Sequence, residues 1–133
     1  MAYSRQRTKG RRESGGFIPL PNAVLRHPNF ISLAPRAVKL LLDLCSQLRQ
    51  DNNGDLATAW TVMEKRGWKS RDQLFKAQQE LEAKGFIFRT RQGGRHVCNL
   101  FAITFYAIDE CDGKLDVPAT NVPLGDWKKN WNR

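Results

Sequence analysis

Between Pro35 and Gln50, the residues Val38, Leu41, Leu42, Cys45 and Leu48 recur at three- and four-residue spacing, an apolar stripe that predicts an amphipathic helix. Pro35 suits its first position, where a missing N–H loses no hydrogen bond. Upstream, Phe17-Ile18-Pro19-Leu20-Pro21 is apolar, but two prolines so close together exclude a helix or a central strand. An extended segment packed on the body is expected there, then a short helical turn carrying Val24, Leu25 and Phe30. Asp51-Asn52-Asn53-Gly54-Asp55 is a turn by composition, and Leu56-Ala57 fits a very short strand. Thr58 is placed as the N-cap of a helix that ends near Arg66, with Gly67 as its stop. Ser70 is the N-cap of the next helix, which runs to Lys84 and stops at Gly85. Leu74, Ala77 and Leu81 form its inward stripe, and Arg71, Gln73, Phe75, Lys76 and Gln79 project elsewhere. The period then changes. Phe86 to Arg91 and Val97 to Tyr106 are rich in aromatic and branched residues, and Gln92-Gly93-Gly94-Arg95 joins them as a hairpin turn.

The order is therefore helix, short strand, helix, tight turn, helix, hairpin, an α+β pattern over residues 17–108. Residues 1–16 carry Arg5, Arg7, Lys9, Arg11 and Arg12 against the single acid Glu13, and predict a disordered basic arm. Residues 109–133 form a C-terminal tail in which Trp127 and Trp131, four apart, share one face of a short helix. Such a tail packs back on the domain or meets a partner.

Charge changes the picture more than size does. The 133 residues carry a net charge of +9, and a basic surface gains free energy on polyanions by releasing their condensed counterions. From Lys65 to His96 there are nine basic residues against three acids, so +6 of the +9 lies on the last predicted helix, its approach and the hairpin. No run of about eighteen apolar residues is present and the N-terminus is polar, which predicts a cytoplasmic protein without a membrane span. Cys45, Cys98 and Cys111 are odd in number and form no C-x-x-C pair, so reduced, mostly buried thiols are expected, with Cys98 on the apolar side of a strand. His96, Cys98 and Cys111 lack a fourth ligand and tight spacing for zinc. No nucleophile–base pair, carboxylate pair or phosphate-binding glycine loop is apparent, so neither an enzyme nor a cofactor is expected.

The span from Ser70 to Ile87, with its helix–Gly85–strand junction, and the hairpin Arg89-Thr90-Arg91-Gln92-Gly93-Gly94-Arg95 resemble the recognition helix and wing of winged helix-turn-helix regulators. The likeness covers about residues 33–108. Gln78 departs from it, standing where the family usually has a core leucine. More narrowly, the chain is similar to small regulators or replication-associated proteins of bacterial phages, plasmids and mobile elements. The resemblance implies a three-helix core with a β-hairpin wing and binding to double-stranded DNA. The helix at 70–84 would lie in the major groove and the wing at 86–106 on the backbone or minor groove. The residues that would carry this are Lys69, Ser70, Arg71, Gln73 and Lys76 on the helix, Arg89, Arg91, Arg95 and His96 on the wing, and Arg5, Arg7, Arg11 and Arg12 on the arm. Arginine and lysine pair with guanine acceptors and glutamine with adenine, so these residue types suit base reading. Phe75 is open to two roles, core packing or contact with thymine methyl groups. A transcriptional regulator is the leading expectation. A replication or partition accessory and a protein-interaction module using the Trp127/Trp131 tail are the alternatives, and a homodimer is expected.

Overall fold

The computed structural model describes residues 13–129, over which apolar stripes and polar turns build an α+β fold. Five helices, α1 (Asn22–Arg26), α2 (Pro28–Ile31), α3 (Pro35–Cys45), α4 (Trp60–Met63) and α5 (Arg71–Ala83), precede strands β1 (Ile87–Arg91) and β2 (Leu100–Ile103), which pair antiparallel. The 1–16 arm falls largely on residues 1–12, outside the described chain, as does Trp131. No described helix is long and apolar enough to cross a membrane.

Helix α3 begins at Pro35 as expected. Its first turn lacks a side-chain cap of its own, and the carboxylate of Glu80 on α5 accepts from Ala34 N–H at 2.9 Å instead. A carboxylate at that end also complements the helix dipole. The helix stops at Cys45, five residues short of the expected Gln50. Beyond it, the side chain of Gln47 bonds both the N–H and C=O of Ala57, at 2.9 and 2.8 Å, and Asn52 Oδ1 accepts from Arg49 N–H. Side chains that satisfy the backbone in this way compete with helix continuation. The buried stripe is accordingly Ala37, Leu40, Leu41, Leu44 and Cys45. Val38 and Leu48 only flank it, and Leu42, expected inside, is 47% exposed.

Thr58 does not cap α4, correcting the sequence expectation. The N-cap is Ala59, without a side-chain bond, because the Thr58 hydroxyl donates to Gln78 Oε1 at 2.6 Å. Gln78 is itself buried on the inner face of α5 with Leu74, Ala77 and Leu81. An apolar residue there would leave the threonine hydroxyl without this acceptor, which gives the glutamine its physical role. A 3₁₀ turn (Glu64–Arg66) follows α4 and ends at a left-handed Gly67. Ser70 caps α5 as expected, accepting from Gln73 N–H.

The hairpin strands are shorter than predicted, β1 starting at Ile87 and β2 spanning Leu100–Ile103 rather than Val97 to Tyr106. A bulge between Arg89 and Arg91 offsets the register, and Gly94 and Val97 pair as a small hairpin of their own. Asn99 is diverted to accept from Gly93 N–H at 2.6 Å. On the other edge of β2, Leu56 bridges Phe101 through both backbone bonds, giving the short strand expected at 56–57 its one pairing. The Asn53 side chain continues that edge. Its Oδ1 accepts from Ile103 N–H at 2.8 Å and its Nδ2 donates to Ile103 C=O at 3.0 Å, as a strand residue's backbone would.

The C-terminal segment packs back on the body. Trp127 is buried against the core, its ring 5.3 Å from and edge-on to that of His27. Asn29 donates from Nδ2 to the carbonyls of Trp127 and Lys129, at 2.8 and 2.7 Å. Trp127 sits in a 3₁₀ turn (Asp126–Lys128) laid across Gly85, where φ is +80° and a Cβ would stand 2.5 Å from Asp126 O. The glycine that ends α5 therefore also makes room for the tail.

Candidate nucleic-acid interface

Helix α5 turns Leu74, Ala77, Gln78 and Leu81 inward, which leaves Arg71, Asp72, Phe75, Lys76 and Gln79 exposed to water. Phe75, for which both core and surface roles were open, is 54% exposed. Lys76 pairs with Asp72 at 3.1 Å, but both side chains are about half-exposed or more, so the pair is weak and readily exchanged for another anion. Arg71 makes no ion pair among the described residues, and its guanidinium lies 5.0 Å from the centre of the Trp60 ring. Gln73 is exposed but tied sideways, its Oε1 accepting from Arg36 Nη1 at 2.7 Å. Lys69 is exposed just before the cap. Ser70 is committed to the cap through its oxygen, which leaves its hydroxyl hydrogen to donate.

The hairpin divides the arginines by role. Arg89 is only partly exposed, pairs with Glu82 at 2.9 Å and lies 5.5 Å from the centre of the Phe101 ring. Arg91 donates to Cys98 C=O at 3.0 Å across the hairpin. These two brace the hairpin against α5 and against itself. Arg95 and His96 form its tip, both exposed, with His96 in left-handed backbone at φ 65°. Cys98 is exposed rather than facing the core, because the chain has left the sheet before reaching it. Among the described residues no three His, Cys, Asp or Glu side chains converge as a metal site. Arg5, Arg7, Arg11 and Arg12 lie outside the described residues.

Four residues near this surface escaped the sequence reading as site residues. Trp60 and Arg36 touch Arg71 and Gln73. Lys39 and Arg66 converge on Asp43, whose side chain is only 5% exposed, through Nζ at 3.0 Å and Nη2 at 3.1 Å. Trp68 Nε1 donates to the same carboxylate at 2.8 Å. The sequence offers no spacing signal for these contacts, since the partners are eleven to thirty-seven positions apart, except for Lys39 and Asp43, an i,i+4 pair. Comparison with known proteins found no matching family, no matching curated protein and no matching solved structure.

Proposed function

We propose that the chain is a winged helix-turn-helix protein that binds double-stranded DNA with sequence preference and serves as a transcriptional regulator. Helix α5 enters the major groove by its N-terminal half, as the second helix of such motifs does, and the Arg95–His96 tip meets the backbone or minor groove. The observation that carries this reading is the uncovered face of α5. It presents Arg71, Phe75, Lys76 and Gln79, side chains able to read base edges or phosphates. Lys65, Lys69 and Arg95 lie exposed to either side in sequence with no ion pair among the described residues. The three-part edge of Leu56, β2 and β1, placed after α3 and around α5, supports the winged arrangement.

Selection from a random duplex pool, followed by fluorescence anisotropy on the selected and a scrambled duplex, tests the proposal. An enriched sequence is expected, with affinity falling by orders of magnitude between about 50 and 200 mM salt. No enriched sequence together with a shallow salt dependence overturns it. Genome-wide mapping of bound sites then tests the regulatory role: enrichment at promoters supports it, and enrichment at replication origins refutes it.

A further inference from the structure

We propose that Lys39 and Arg66, held side by side on the buried carboxylate of Asp43, form a preset clamp for a DNA backbone phosphate beside the start of α5. The inference rests on the DNA-binding reading above and adds a contact from α3, a helix that reading leaves as scaffold.

The donor set at Asp43 is the first part. Asp43 Oδ2 accepts from Lys39 Nζ at 3.0 Å and from Trp68 Nε1 at 2.8 Å, and its Oδ1 accepts from Arg66 Nε at 3.2 Å and forms an ion pair with Nη2 at 3.1 Å. A buried carboxylate needs compensation, but one cation with the indole would supply it. Two cations leave this cluster with a net positive charge, carried on side chains that are 47% and 48% exposed. Neither has spent its donors. Lysine has three, of which Lys39 uses one on Asp43 and one on the Arg66 carbonyl at 2.9 Å. Arginine has five, and Asp43 engages only the Nε and Nη2 edge of Arg66. A phosphate oxygen approaching from water therefore meets a lysine and an arginine with free N–H groups.

Preorganisation is the second part. Long basic side chains lose rotamer entropy when they bind, and fixing them beforehand removes that cost. Lys39 is fixed three ways, by Asp43, by the Arg66 carbonyl and by the Trp68 ring, whose centre is 5.7 Å from its Nζ. Position is the third. Arg66 ends the turn that leads to Lys69, the Ser70 cap and Arg71, so the clamp sits where α5 begins. On the same helix as Lys39, Arg36 reaches Gln73 at 2.7 Å. Phosphate contacts next to a reading helix set its register on the duplex.

The test is anisotropy on the selected and scrambled duplexes over 50–200 mM salt, with Lys39→Met and Arg66→Ala. Methionine keeps an unbranched side chain of similar length and removes the charge with its bonds to Asp43 and the Arg66 carbonyl, and either variant leaves Asp43 one cation and the indole, so both should fold. Loss of one phosphate contact lowers the salt slope by about 0.9, so the affinity lost across that fourfold salt range shrinks about 3.5-fold. The drop should be equal on both duplexes, and Lys39→Arg and Arg66→Lys should restore the slope. A purely structural pair would shift the melting temperature and leave the slope alone. Unchanged slopes in both variants, with Lys69→Ala lowering it, overturn the clamp while DNA binding stands. A wild-type chain that binds no duplex overturns both.

Discussion

Asn53 is the residue whose loss should cost this fold most for its size. It is 3% exposed, and its side chain takes the place of a third strand along β2. Oδ1 accepts from Ile103 N–H at 2.8 Å, and Nδ2 donates to the carbonyls of Ile103 at 3.0 Å and Ala107 at 2.9 Å. Asn53→Ala leaves the Ile103 N–H buried without an acceptor, which costs about 1–3 kcal/mol, and removes two further bonds each worth about 0.5–1.5 kcal/mol net. The total is about 2–6 kcal/mol, a large part of the roughly 5–15 kcal/mol that holds a typical domain together. Urea unfolding followed by tryptophan fluorescence measures it. With a slope of about 2 kcal/mol per molar, a loss near 4 kcal/mol moves the midpoint down by about 2 M. Asn53→Asp, which keeps the shape but cannot donate when ionised, should be at least as damaging at neutral pH. Asn52→Ala is the control, since Asn52 bonds Arg49 and Gln47 at a partly exposed turn. If Asn53→Ala unfolds at the same urea concentration as Asn52→Ala, the view of Asn53 as a surrogate strand is wrong.

Gly85→Ala should cost about 1–2 kcal/mol for its positive φ alone, and it should also lift the tail off the helix end, because the new Cβ meets Asp126 O at 2.5 Å. A red shift of native tryptophan emission and faster proteolysis after residue 117 would report the displaced tail, and an unchanged spectrum and digest would contradict it. At pH 8 a thiol reagent should label Cys98 quickly in the native protein and all three cysteines only in denaturant, read by intact mass. Burial pushes the Cys45 thiol up to about 12, and burial with the nearby Asp55 and Asp109 carboxylates pushes Cys111 up to about 11; a second fast adduct would refute this. Because these thiols ionise more readily unfolded than folded, their contribution is intact below about pH 9 and is lost as pH climbs towards 12. Cys45 alone accounts for up to about 1.4 kcal/mol per pH unit in that window, so Cys45→Ala should flatten the alkaline decline in stability, and an unchanged slope would count against it. Phe75→Ala should leave stability within about 0.5 kcal/mol, since the ring is exposed, yet weaken binding to the selected duplex more than to the scrambled one; equal loss on both would remove Phe75 from the base-reading face.

What the sequence determined by itself is the set of elements whose causes lie within a few residues. Pro35 starting α3, Ser70 capping α5, Gly67 and Gly85 ending their turns, the 74–77–81 stripe and the hairpin all depend on local backbone geometry and periodicity, and each stands at or near its expected place. The exposed α5 face follows from the same period. Tertiary structure decided wherever a side chain finds its partner far along the chain. Thr58 gives up its capping role for Gln78, Gln47 turns the chain away from α3 to reach Ala57, and Leu42 is left outside as the buried stripe settles on Leu40, Leu41 and Leu44. Asn53 becomes part of a sheet fifty residues away, and Asp43 gathers Lys39, Arg66 and Trp68. Thr58, Gln47, Asn53 and Asp43 each carry a buried or half-buried polar group that must find a partner once removed from water. Which partner it finds depends on how α3, α5 and the sheet pack together, and no spacing along the chain encodes that.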